Sequence, residues 1–262
     1  MLNLIKNELV KLTANKKLYV GMFIILGVNL LPLLEMVTGS LGDIPIAGQT
    51  FPLYMLSTYL NVVMPIFISV LIADMITDEY ANGTLTLSLI HPVSRGKLLT
   101  AKVLALATMI ALLLLYSLLL GYVVGSVIFG WGEQFIYQDV VSETNYTFSA
   151  AAGFVVTLGA YAVSMVPLLA FGMVILLLAF HFNTGGALVG TSIGLVIALS
   201  FLGEIAQGLR PVLINHYFAL FKYVFLDQDT ARVMVAILVL GAYSIVPLML
   251  SLRILNKKDI VY

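Results

Sequence analysis

The chain has 262 residues, 61% of them hydrophobic and only 10% charged, against roughly 45–50% and about 25% in ordinary soluble domains. That surplus of apolar surface excludes a single water-soluble core and makes the lipid bilayer the solvent. Thirteen basic and thirteen acidic residues cancel, so net charge points to no nucleic-acid partner, and the absence of cysteine excludes disulfides, thiolate metal sites and cysteine nucleophiles. No long stretch has the composition of a soluble domain, so residues 1–262 read as one transmembrane domain and any soluble motor must be another chain.

Taken in chain order, Leu2, Ile5, Leu9 and Leu12 stand opposite Asn3, Lys6, Asn7 and Lys11, the pattern of an amphipathic helix over 2–16 lying among lipid headgroups. The apolar run 18–37 is long enough to cross about 30 Å of hydrocarbon and no A-x-A-like cleavage site follows it, so it reads as a retained first span. Thr38 to Pro52 is a Gly- and Pro-containing loop with Asp43 as its one charge, and 53–76 is the second span. Residues 77–102 form the most polar internal loop, followed by a third span at 103–129. The segment Gly130–Phe148 carries Glu133, Asp139 and Glu143 without Lys or Arg. The fourth span, 149–180, is longer than one perpendicular crossing requires and must tilt, protrude, kink or break at Pro167. A fifth span covers 186–202 and a sixth 233–252, and between them 204–228 mixes aromatic and charged residues in the manner of short interfacial or re-entrant helices.

Ten of the thirteen basic residues fall in the N-terminal segment, the 77–102 loop and the C-terminal tail. The positive-inside rule places all three in the cytoplasm, which demands an even number of crossings, and six satisfies it. The expected fold is an all-α integral membrane protein with both termini cytoplasmic.

Nucleotide chemistry is not written into the chain. Gly96-Lys97 is the only Gly-Lys pair, it lacks the upstream glycine of a phosphate-binding loop, and Leu98 stands where a hydroxyl residue would hold magnesium. His91, His181 and His216 are scattered, and neither H-E-x-x-H nor G-x-S-x-G occurs. The chain is expected to be no enzyme, with no catalytic residue, metal site or cofactor of its own.

The 77–102 loop carries more information. Thr77 is placed to cap a helix with Asp78 and Glu79 in its first turn, Tyr80, Leu87 and Ile90 fall on one side, Pro92 ends the helix, and Ser94 is placed to cap the next, with Val93 and Leu98 as a hydrophobic staple. Arg95, Lys97 and Lys102 would equally serve as lipid-headgroup anchors.

Glu79-Tyr80-Ala81-Asn82-Gly83-Thr84-Leu85, then His91-Pro92-Val93-Ser94-Arg95 and Lys97-Leu98-Leu99-Thr100-Ala101-Lys102, resembles the first cytoplasmic loop of type-2 ABC transporter permeases. Glu8-Leu9-x-Lys11-Leu12 in the N-terminal helix and the six-span layout agree with that family. The resemblance implies the permease subunit of an ATP-driven exporter in a bacterial plasma membrane. It implies a coupling helix that docks on a separate ATP-binding subunit, where ATP and magnesium reside, and pairing with a second permease copy or a related permease. Glu79, Tyr80, Gly83, Thr84, Leu87, Pro92, Ser94 and Arg95 would be the coupling residues. The family has no fixed substrate signature, so no substrate residue carries over.

Within the spans, Gly186, Gly190 and Gly194, and likewise Gly121 and Gly125, recur every four residues and would let another backbone approach, from the same subunit or a second copy. Asp74 and Glu35 lie near span ends and read as structural, Asn29 and Asn61 as more deeply buried, and Pro65, Pro167 and Pro247 as sites for kinks. An apolar pathway suits a hydrophobic or amphiphilic substrate such as a peptide antibiotic, a drug or a lipid. The alternatives are an ion-coupled carrier, which would need acidic residues deep in the spans, or a non-transporting scaffold.

Overall fold

A computed structural model describes residues 2–38, 46–82, 94–139 and 144–257, with the side chains of 33–38 and 257 outside that description. Helix α1 (Leu2–Ala14) meets α2 (Lys16–Thr38) at a bend of 62°. Asn15 makes the corner: its Oδ1 accepts the Lys17 N–H at 3.1 Å, so it caps α2 as it ends α1. Among the described residues five further helices are each long and apolar enough to cross a membrane, and the bent α1–α2 pair brings the number to six when counted as one span. They are α3 (Phe51–Ala81), α4 (Arg95–Phe129), α5 (Ala150–Ala179), α6 (Gly185–Ile205) and α7 (Thr230–Lys257). The molecule is an all-α membrane protein, with one small hairpin among the described residues.

Helix α3 is the centre of the bundle, 72% buried along its apolar stretch against 11% for α6. It widens to π geometry at Tyr59–Val63, where the Met64 N–H reaches back five residues to Tyr59 O. Pro65 follows at once: it has no N–H to give and its ring needs room, so a one-residue widening resolves the clash. A second widening at Ala73–Asp78 carries Asp74. Helix α5 passes Pro167 as one continuous helix of 30 residues, about 45 Å at 1.5 Å per residue, so it does not break there. Ser149 starts it by accepting the Ala152 N–H. Gly130 ends α4 with φ +71°, a conformation open to glycine at little cost.

The strands β1 (Phe135–Asp139) and β2 (Thr144–Phe148) pair antiparallel, with Phe135 opposite Phe148 and Tyr137 opposite Tyr146. This hairpin was not among the expected elements, although aromatic residues alternate through both strands. The Phe135 ring lies on Gly153 so closely that a Cβ there would be 2.2 Å from it. The Tyr54 hydroxyl accepts the Gln138 N–H at 2.8 Å. Lys222 pairs with Asp139 at 2.7 Å and the Tyr146 hydroxyl donates to Asp227 at 2.6 Å, which ties the hairpin to the segment between α6 and α7. That segment holds two 3-10 turns, Gln207–Val212 and Ile214–Tyr217, and a wide turn, Lys222–Leu226. These features define a hairpin face. The opposite, basic face gathers α1, the ends of α3 and α7, and the start of α4.

Three sequence readings are corrected. Thr77 caps nothing: α3 runs unbroken to Ala81, and Thr77 is buried inside it, its hydroxyl pointing to Ala179 O at 3.5 Å. Asp78 and Glu79 therefore stand at a helix C-terminus, where the dipole disfavours them, and neighbouring lysines offset the cost. Asn61 is exposed, not buried; its amide bonds Ser57 O of its own helix at 2.8 Å. Asn29 is fully buried and bonds Ile25 O.

Candidate functional site at the basic face

Four charged side chains from three helices meet in one knot. Lys102 on α4 donates to Glu8 Oε2 on α1 at 2.8 Å, to Glu79 Oε2 on α3 at 2.7 Å and to Met75 O at 2.8 Å, with its own side chain 2% exposed. All three ammonium protons have acceptors. Lys11 closes the ring, bonding Glu8 Oε1 at 3.0 Å and Glu79 Oε1 at 2.8 Å. Beside the knot, Lys17 pairs with Asp74, which also accepts the Asn15 amide at 2.6 Å, and Lys17 stands 3.6 Å from Asp78.

An ion pair out of water is stabilising only when every partner is met, and removing one leaves the others stranded. The knot meets that condition. Burial alone pushes the Glu8 carboxyl up, yet Lys102 and Lys11 outweigh it and hold the group below the ordinary carboxylate value. For Lys11 burial favours the neutral form, but Glu79 and Glu8 prevail and the ammonium titrates above its ordinary value.

Arg95 does comparable work at the start of α4. Its guanidinium donates to Leu255 O at 2.5 Å and Asn256 O at 3.0 Å, satisfying carbonyls that the last turn of α7 leaves open and placing positive charge at the negative end of its dipole. Ser94 sits at the N-cap position with extended backbone but makes no side-chain cap. Tyr80, just beyond the knot, is 47% exposed.

Among the residues expected from sequence to act at this face, Glu79 and Arg95 thus flank the 83–93 segment and fasten its two ends to different helices. Gly83, Thr84, Leu87 and Pro92, with Ile90, His91 and Val93, lie outside the described residues, as do Asp43, Glu143 and the Glu35 side chain. Lys102 is no lipid anchor, being sealed inside the knot. Its importance, and that of Glu8 and Lys11 as its partners, was missed; the available signal was a lysine directly before a long apolar run and behind Leu98 and Leu99, a place where burial demands carboxylate partners.

The glycine stripes part company. Gly121 lies against Pro52, where a Cβ would stand 3.2 Å away, and Gly125 against Phe51 at 2.6 Å. A Cβ added at Gly186, Gly190 or Gly194 would meet nothing within 4 Å among the described residues.

A family model described as ABC-2 family transporter protein matches residues 4–152, a stretch running from α1 through β2 that includes the whole knot. No curated protein matches the chain.

Proposed function

Because the chain belongs to the ABC-2 family of transporter proteins and is a membrane permease of an ABC transporter, we propose that it serves an exporter whose ATP-binding subunit docks on residues 79–95. Members of this family associate with such a subunit, and the docking segment proposed here comprises Tyr80, Gly83, Thr84, Leu87, Pro92 and Ser94 between the two anchors. The observation that carries the proposal is the double fastening. Glu79 at one end is bound to α1 and α4 through Lys11 and Lys102, and Arg95 at the other is bound to the end of α7. A push on the segment between them moves four helices together instead of bending a loop, which is the rigid-body coupling a nucleotide-driven switch needs.

On this reading the basic face is cytoplasmic, since ten of the thirteen basic residues lie on its segments. The membrane is a bacterial plasma membrane, two permease copies or relatives pair, and the cargo is a hydrophobic or amphiphilic molecule. ATP and magnesium belong to the partner.

The test is co-purification with the ATP-binding subunit, followed by Arg95→Ala. That variant is expected to insert and retain the partner while ATP hydrolysis continues and ATP-dependent export of an amphiphilic antibiotic stops. Unchanged export, or a chain that never retains an ATP-binding subunit, contradicts the proposal.

A further inference from the structure

The hairpin leaves one of its two edges open. Successive residues of an antiparallel strand turn their N–H and C=O alternately into the ladder and away from it. Gln138 gives its N–H to the Tyr54 hydroxyl of α3, so it points away from β2, and that helix closes the outer edge of β1. Asn145 stands opposite Gln138 and Thr147 opposite Ile136, so both turn their N–H and C=O away from β1. Both residues are exposed, and neither main chain has a partner outside the ladder among the described residues. Thr144–Phe148 contains no charge and no proline, the devices that usually blunt a sheet edge, and its Thr, Tyr and Phe favour extended backbone.

Charge near this edge is one-sided. Each Arg and Lys described on the hairpin face is already paired, Arg210 with Glu204, Lys222 with Asp139 and Arg232 with Asp229. Glu133 and Asp227 are left exposed with no basic partner among the described residues. Asp227 accepts the Tyr146 hydroxyl at 2.6 Å and so lies beside the middle of β2, while Glu133 closely precedes Phe135, at the end where Phe135 faces Phe148. Ser149 alone separates β2 from the membrane helix α5, and Trp131 is exposed just beyond α4, so the open edge runs along the bilayer surface.

We propose that β2 binds a free cationic peptide in extended form, the peptide backbone adding a third strand through Asn145 and Thr147 and a basic side chain reaching Asp227. A row of open main-chain donors and acceptors selects an extended peptide over a compact molecule. The unpaired carboxylates select a basic peptide over an acidic one, and over a second copy of this same acidic edge. The inference goes beyond the permease reading and takes from it only the side of the membrane, opposite the basic face.

The full chain in phosphatidylcholine nanodiscs, whose neutral lipid attracts no cation, is titrated with a rhodamine-labelled, acetylated peptide of alternating Lys and Val, about eight residues long. Fluorescence anisotropy reads binding against empty nanodiscs. In the extended peptide all lysine N–H groups point to one edge and all valine N–H groups to the other. Methylating one of these two sets of backbone nitrogens is therefore expected to abolish binding, and methylating the other to leave it. The matching Glu-Val peptide is expected not to bind, and Asp227→Asn to weaken binding about two- to fivefold. Thr147→Pro removes an N–H that the ladder does not use and is expected to weaken binding at least about tenfold, with β1 amides still protected from hydrogen exchange. Should that variant lose the hairpin, the two methylated peptides still decide the matter. Equal loss or equal retention by the methylated peptides, or equal binding of the acidic peptide, overturns the inference. So does a disulfide between two Asn145→Cys copies that the peptide does not prevent. Binding is read without the ATP-binding subunit, so its failure beside an uncoupling Arg95→Ala phenotype removes this surface alone.

Discussion

Lys102 Nζ lies 2.7 Å from Glu79 Oε2, with the two side chains 2% and 12% exposed, so the start of α4 and the end of α3 are joined by a charge pair withdrawn from water. Glu8 shares the same ammonium at 2.8 Å. Lys102→Met strands carboxylates that Lys11 alone cannot neutralise, and the expected cost is about 3–5 kcal/mol. Thermal unfolding of the detergent-solubilised chain measures it. Adding Glu8→Gln to that variant should recover part of the loss, because the two residues act through one contact.

The pH behaviour of the knot follows from the direction of its shifts. Glu8 titrates below its ordinary value of 4.5, so its contribution is complete above that value and is lost as pH falls through the lowered one. Lys11 titrates above its ordinary 10.5, so its contribution is complete below that value and is lost as pH rises through the raised one. Protection of α1 amides from hydrogen exchange is therefore expected to stay flat between about pH 6 and 9.

His216 behaves differently. Burial first, then the charges of Arg210 and Arg232, hold its imidazole below the ordinary 6.5. The folded state favours the neutral ring, so this contribution is complete above 6.5 and is lost as pH falls through the lowered value. Hydrogen exchange in 207–226 should accelerate below about pH 6, and His216→Gln should remove that acid step.

Gly153 is needed for contact. A Cβ there would sit 2.2 Å from the buried Phe135 ring, so Gly153→Ala should cost about 1–3 kcal/mol in thermal stability. Phe135→Leu in the same chain should recover part of it, since the smaller side chain vacates the space.

The Asp139–Lys222 pair, partly buried at 2.7 Å, fastens the hairpin to the segment before α7. Asp139→Asn should weaken that attachment by about 1.5–3 kcal/mol, read as roughly 10- to 100-fold faster exchange of the β1 and β2 amides.

Helix number and the apolar cores of the spans were legible because hydrocarbon thickness dictates run length, and the expected ends at 129 and 180 fall within a residue of the observed helix ends at Phe129 and Ala179. Helix ends beyond the bilayer were not. The polar start of α4 at Arg95 and the extension of α3 through Asp78 look like loop to a hydropathy reading, because ion pairs from α1 stabilise those turns and no local pattern announces a partner so distant in sequence. The residues of Phe135–Phe148 did alternate as strands do, but a ten-residue signal is weak beside neighbouring apolar runs. The basic face was half legible: Glu79 in the knot and Arg95 outside it stood out at the ends of the loop, whereas Lys102 gained its meaning only when three helices converged.

The most direct test of the coupling account uses Tyr80→Cys in this cysteine-free chain, assembled with its ATP-binding subunit and treated with a bifunctional thiol reagent. The account expects a cross-link to that subunit whose yield changes between nucleotide-free and ATP-bound complexes. An intact complex that gives no such product, together with reaction of the thiol with a charged maleimide added outside whole cells, would contradict it.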